Sequence, residues 1–164
     1  MATVTSALQA ARGNSQRGRN AYIVENTIDF ADHTVDPSAG DVVQAITVPA
    51  GSVILAAGLE VVTALTLDND SDNDVAIDLG TDTEADKYVD GFDADAATAG
   101  AYAAADAAAA GPEVHGTANT LDMTFAATSA DGISAGEIRV WAVMMDITGM
   151  GDMTANEVDR DLLA

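Results

Sequence analysis

The sequence predicts an all-β fold, a β-sandwich or jelly-roll-like body with an extended N-terminal arm and a short C-terminal helix. Three observations point there. Short runs rich in Val, Ile, Thr and aromatics recur every 8–15 residues or so, with turn signals between them. Several of these runs alternate apolar and polar residues, the two-residue period of a strand with one buried face. Long amphipathic helices do not intervene, which argues against a doubly wound α/β fold, and no repeat at solenoid or propeller spacing is present. At 164 residues the chain suits one domain. By size scaling such a domain hides about 70% of its unfolded surface. Composition divides it into an arm at 1–20, a body at 21–148 and a tail at 149–164.

The arm holds Arg12, Arg17 and Arg19, half of the six bases, and the first acid is Glu25. Residues 12–20 are polar and Gly-rich, so alone they are expected to be extended. The arm is either a solvated tail or a docking element that orders on an acidic neighbour. In the second case Val4 and Leu8 are its apolar anchors, and the three guanidinium forks take carboxylates.

In the body, Tyr22 to Phe30 puts Tyr22, Val24, Ile28 and Phe30 on one parity, and Asp41 to Val48 puts Val42, Ile46 and Val48 on one face. Pro49 to Ser52 reads as a turn, with Pro presetting φ and Gly51 admitting a positive φ. Ser52 to Leu67 holds one or two strands, with Gly58 as a bend or bulge. Val75, Ile77 and Leu79 form one clean alternating face, and Leu121, Met123 and Phe125 another. Ala94 to Gly111 is alanine-rich. It reads as a surface loop with one or two helical turns, because Gly100 interrupts it and no stripe of large apolar residues is present. Thr154-Ala-Asn-Glu157 fits a capping box opening a short helix from about Ala155 to Leu163, whose Val158, Leu162 and Leu163 would pack on a neighbour.

Glu137 to Ile147 reads as the longest strand, and it is apolar on both parities over Trp141-Ala-Val-Met-Met145. Ile138, Val140, Ala142 and Met144 serve one face, and Trp141, Val143, Met145 and Ile147 the other. A sandwich strand with one wet face should not read this way. Either the strand is central and covered twice, or its outer face meets a neighbour. The second reading makes Trp141 and Met145 partner-binding residues and predicts a homo-oligomer, a homotrimer first.

The formal charge is −21, and of the 27 acids 21 are Asp; Lys87 is the sole lysine. Beyond the arm, three bases face 27 acids, a net −24. Such a surface repels nucleic acid and anionic membrane, so neither is expected as a direct partner. At ~1 M salt the Debye length is about 3 Å and the self-repulsion is screened. The Lys-poor, Asp-rich, Ala/Val/Thr-rich composition resembles proteins of salt-in halophiles, with an acidic marine mesophile as the alternative. No apolar stretch reaches 18 residues and no leader pattern opens the sequence, which predicts synthesis and folding in a host cytoplasm.

Catalytic signals are sparse, and no enzyme is expected. Cysteine is absent, which rules out disulfides and thiolate chemistry. His33 and His115 are far apart and read as ordinary loop histidines. Neither a Gly-x-Ser-x-Gly elbow nor a Walker loop is present, and Gly149-Met-Gly151 lacks the third glycine of a dinucleotide motif. Asp68, Asp70, Asp72 and Asp74 alternate like the first half of a calcium loop. Asn73 stands where the turn glycine belongs and Leu79 where the bidentate Glu belongs. The segment is therefore either a solvated acidic hairpin loop or a weak Ca²⁺ or Mg²⁺ site; no other cofactor is expected. Asn69-Asp-Ser71 fits a glycosylation sequon, without a role on a cytoplasmic route.

Four phrases carry a family resemblance: Asp41-Val-Val-Gln-Ala-Ile-Thr-Val-Pro-Ala-Gly-Ser-Val-Ile-Leu-Ala-Ala-Gly-Leu-Glu-Val-Val-Thr-Ala64, then Val75-Ala-Ile-Asp-Leu-Gly80, then Tyr88-Val-Asp-Gly-Phe92, and Glu137-Ile-Arg-Val-Trp-Ala-Val-Met-Met-Asp-Ile147. In this order they resemble small virion proteins of tailed viruses, over about residues 40–147. The resemblance implies a β-rich, commonly trimeric capsid decoration or cement protein on the exterior of the virion capsid. Its partners would be the major capsid protein and itself, and no catalytic residue carries over. With the composition it suggests a virus of a haloarchaeal or marine host. Another exposed virion part (turret, fibre or tail) and a ligand-binding β-sandwich or small enzyme stand as alternatives.

Overall fold

The computed structural model describes residues 20–31, 40–67, 75–94, 97–104, 111–127 and 133–147. Nine strands run through them: β1 (Tyr22–Asp29), β2 (Val42–Val48), β3 (Ser52–Leu67), β4 (Val75–Thr81), β5 (Glu84–Asp93), β6 (Tyr102–Ala104), β7 (Glu113–His115), β8 (Asn119–Ala127) and β9 (Ile133–Asp146). They form two antiparallel sheets. The first has the order β1-β9-β3-β6, with β7 also paired to β3, and the second β2-β8-β4-β5. The pairs β1–β9, β2–β8, β3–β6 and β4–β5 nest inside one another in the chain. That is one long ribbon of nested hairpins rolled into two sheets, a jelly roll with β7 as a short addition. The all-β sandwich expected from the sequence is the fold. The expected C-terminal helix and the arm residues 1–19 lie outside the described residues.

The core lies between the sheets. Ile28, Ile54, Leu59, Ile138, Val140 and Met144 come from the first sheet and Ile46, Val48, Ile77, Leu79, Leu121, Met123 and Phe125 from the second, all buried. Phe30 meets Phe125 edge to face, with centroids 6.0 Å apart, a favoured aromatic geometry. Asn26 closes one side of the sandwich, its Nδ2 donating to the carbonyl of Ala45 at 2.9 Å.

Bulges account for most departures from the sequence reading. The pairing of β2 with β8 shifts between Gln44 and Ile46. An extra residue inverts the side-chain parity beyond it, so Val43, not Val42, shares the inward face with Ile46 and Val48, and Val42 is 54% exposed. Tyr22 likewise stands 42% exposed at the end of its strand rather than in the core. Ser52 to Leu67 is a single strand of 16 residues, bulged between Ile54 and Ala56 and again after Val61, so β3 and not the 14-residue β9 is the longest strand. Gly58 is at neither bulge. The turn before β3 is as expected: Gly51 has φ +78°, its N–H donates to the His115 carbonyl at 2.7 Å, and its own carbonyl accepts from Ile147 N at 2.8 Å.

Two segments read as loops contain strands. β6 forms in the alanine-rich stretch, and its described residues contain no helical turn, because Leu59 and its neighbours offer a free strand edge there. His115 is not a loop residue; it ends β7 and is buried.

A candidate interaction surface

β9 is central in its sheet, between β1 and β3, and its two apolar parities face opposite sides of that sheet. Ile138, Val140, Ala142 and Met144 face the core, and Trp141, Val143 and Met145 the outer side of the first sheet, half-buried. The strand is flanked twice in its own sheet and covered by a second sheet on one side. The register assigns the outer face row by row, because directly paired antiparallel residues point to one side. Met145 lies beside Val53, and Val53 beside Val114. Ile23, Val143 and Ala56 make the next row, then Glu25, Trp141, Gly58 and Ala104. Thr27, Arg139, Glu60 and Tyr102 follow, and last Asp29, Glu137 and Thr63.

The face is therefore graded. One half is apolar, with Ile23 70% and Val114 65% exposed. The other half carries four carboxylates, from Glu25, Asp29, Glu60 and Glu137, against one guanidinium, from Arg139. Arg139 pairs with Glu60 at 3.2 Å, and the Thr63 hydroxyl donates to Glu137 at 3.1 Å. Gly58 organises the middle. A Cβ there would sit 2.7 Å from Trp141 Cζ2 and 2.6 Å from the Ala103 carbonyl. The missing side chain is what lets the indole lie across β3. The outer face of the second sheet carries Gln44, Thr47, Thr120, Asp122, Thr124 and Asp78, with Val42 as an exposed apolar residue among them.

A second polar feature lies between the sheets. Glu113 on β7 accepts from the Tyr88 hydroxyl at 3.1 Å and from the Thr81 hydroxyl at 3.3 Å, both from the second sheet. Burial, with the Glu113 carboxylate beside it, raises the Tyr88 hydroxyl above its ordinary range. The His115 imidazole is 3.8 Å from Glu113. This cluster ties sheet to sheet opposite the Asn26 link.

Of the residues singled out from the sequence, Trp141 and Met145 are brought onto one face. Val4, Leu8, Arg12, Arg17, Arg19 and the loop acids Asp68, Asp70, Asp72 and Asp74 lie outside the described residues. Among the described residues no group of three or more His, Asp or Glu is placed to hold a metal. Sequence reasoning missed Ile23, Tyr102 and Val114 on the surface and Glu113 in the interior. Ile23 alone carried a signal, an apolar residue on the parity opposite Val24 and Ile28.

No family model matches the chain, and no curated protein matches it in sequence. Solved structures do match in fold. A chain of the cyanophage Pam1 capsid asymmetric unit superposes with a TM-score of 0.58 at 17% identity, over 88% of this chain and 97% of that one. A chain of the capsid of Ralstonia phage GP4 superposes with a TM-score of 0.55 at 14% identity, over 91% of this chain and 93% of that one. At such identities the likeness is one of fold.

Proposed function

We propose that this chain is a virion structural protein, specifically a capsid decoration (cement) protein that binds the outside of a capsid shell and clamps neighbouring subunits. The observation that carries the reading is the likeness in fold of about nine-tenths of this chain to nearly all of a chain in each of two phage capsids. The order of turn-and-strand phrases that resembles small virion proteins supports it independently. The apolar half of the outer face gives such a protein a surface to bury, since monomers rarely leave contiguous apolar patches uncovered. The role needs no catalysis, and the partners are the main shell protein and further copies of this chain.

The test is rebinding. Purified chain added to shells stripped of it should sediment with them and saturate. A chain lacking residues 2–19 should keep its β-sheet circular dichroism and stay in the supernatant. Full-length protein that never sediments with shells, at any salt concentration in which both are intact, would contradict the reading.

A further inference from the structure

We infer that the arm of one molecule docks on the outer face of the β1-β9-β3 sheet of a neighbouring molecule, so that copies of this chain exchange arms. Charge selects the arm as occupant. It carries three arginines and no acid, and the far half of the face offers four carboxylates against one guanidinium that Glu60 already engages. The chain after β9 could reach the same face, but its residues 148–164 hold Asp152, Glu157, Asp159 and Asp161 against Arg160, and that face would repel them.

Order selects the neighbour. The arm enters the fold at Tyr22, which pairs with Met144 at the apolar end of the face. Running onto its own face, it would lay Arg19 and Arg17 over the apolar half first. Leu8 precedes Tyr22 by 14 positions, so in an extended arm at ~3.3 Å per residue it would lie about 46 Å away. The acidic row at Glu137 is only about 13 Å from Trp141 by the same rise. The anchors would overshoot the apolar half altogether. On another molecule's face the arm can lie in the opposite sense, with Val4 and Leu8 on Trp141, Val143 and Met145 and the arginines on Glu25, beside Trp141, and on Glu137 beyond it. Each molecule then gives an arm at one site and takes one at another, a head-to-tail contact that closes into a ring when the rotation allows.

Arm exchange uses the segment whose deletion should also stop shell binding, but it is tested without shells. The chain has no cysteine, so two single variants, Leu8→Cys and Val143→Cys, can be mixed and oxidised. Peptide mapping of the doubled-mass product should find the position-8 peptide of one chain joined to the position-143 peptide of the other, in excess of like-with-like pairs. Leu8→Cys mixed with Thr47→Cys, on the opposite sheet, should give little of the corresponding mixed pair. Equal cross-linking at Thr47, or a Leu8→Cys/Val143→Cys double variant that closes only within one molecule, would overturn the exchange. Trp141, the single tryptophan, supplies a readout that needs no variant on the face. Deleting residues 2–19 should shift its emission to longer wavelength, and unchanged emission would overturn docking altogether.

Discussion

Trp141 and Gly58 form a pair that neither residue announces alone. The glycine was legible as an irregularity in an apolar strand, but its reason lies on another strand, 83 positions away, and only the register of β3 with β9 reveals it. A Gly58→Val chain should lose about 1–3 kcal/mol, the usual cost of forcing bulk into a packed contact, with red-shifted Trp141 emission; denaturant titration followed by fluorescence reads both. Tyr88 and Glu113 were equally opaque, because their hydrogen bond joins two sheets whose pairing the local pattern does not encode. Tyr88→Phe leaves a carboxylate oxygen of a half-buried glutamate short of a donor and should cost ~1–3 kcal/mol. The raised Tyr88 hydroxyl also gives a pH signature. Above about pH 10 the unfolded chain releases this proton while the folded chain retains it, so the unfolded state gains. The contribution is complete below pH ~10 and is lost as pH rises past it. Stability measured at pH 9 and pH 11 should therefore fall less in Tyr88→Phe than in the parent.

The strands themselves were largely legible, since a two-residue period and turn chemistry are local properties. β1, β4 and β8 fell where alternation placed them, and the Pro49–Ser52 turn adopts the positive φ at Gly51 that its sequence asks for. Gly51→Ala should cost about 1–2 kcal/mol, the penalty of a side chain in the left-handed region. Bulges were not legible. The extra residue at Ala45 that exchanges Val42 for Val43 is stabilised from the other sheet, by the Asn26 side chain on the Ala45 carbonyl. Replacing Asn26 with Ala should lower stability by about 1 kcal/mol and loosen β2, which hydrogen exchange at Val43 and Ile46 would report. The three-residue strands β6 and β7 were invisible for a related reason. They have no period of their own and exist because β3 offers an edge.

At the scale of the whole molecule, two properties set the behaviour: the acidic body and the graded face. Twenty-seven acids against six bases repel one another at long range. Transfer from molar to low salt should lower the melting temperature by many degrees as the Debye length grows from about 3 Å to 10 Å and beyond; a melting curve that does not move would remove the halophile argument. On the graded face four carboxylates and one guanidinium stand beside an apolar half. The class of fold was readable from period and composition. The face was only half readable, since Trp141 and Met145 stood out while Ile23, Val114 and the carboxylate rows became neighbours only through the sheet order. The central claim, a capsid decoration role, is tested most directly by counting this chain in purified particles against the main shell subunit by quantitative mass spectrometry. The account predicts a number commensurate with that subunit, lost from the shell when residues 2–19 are deleted. A few copies at one vertex would make it a turret or tail part instead, and particles without the chain would contradict the account.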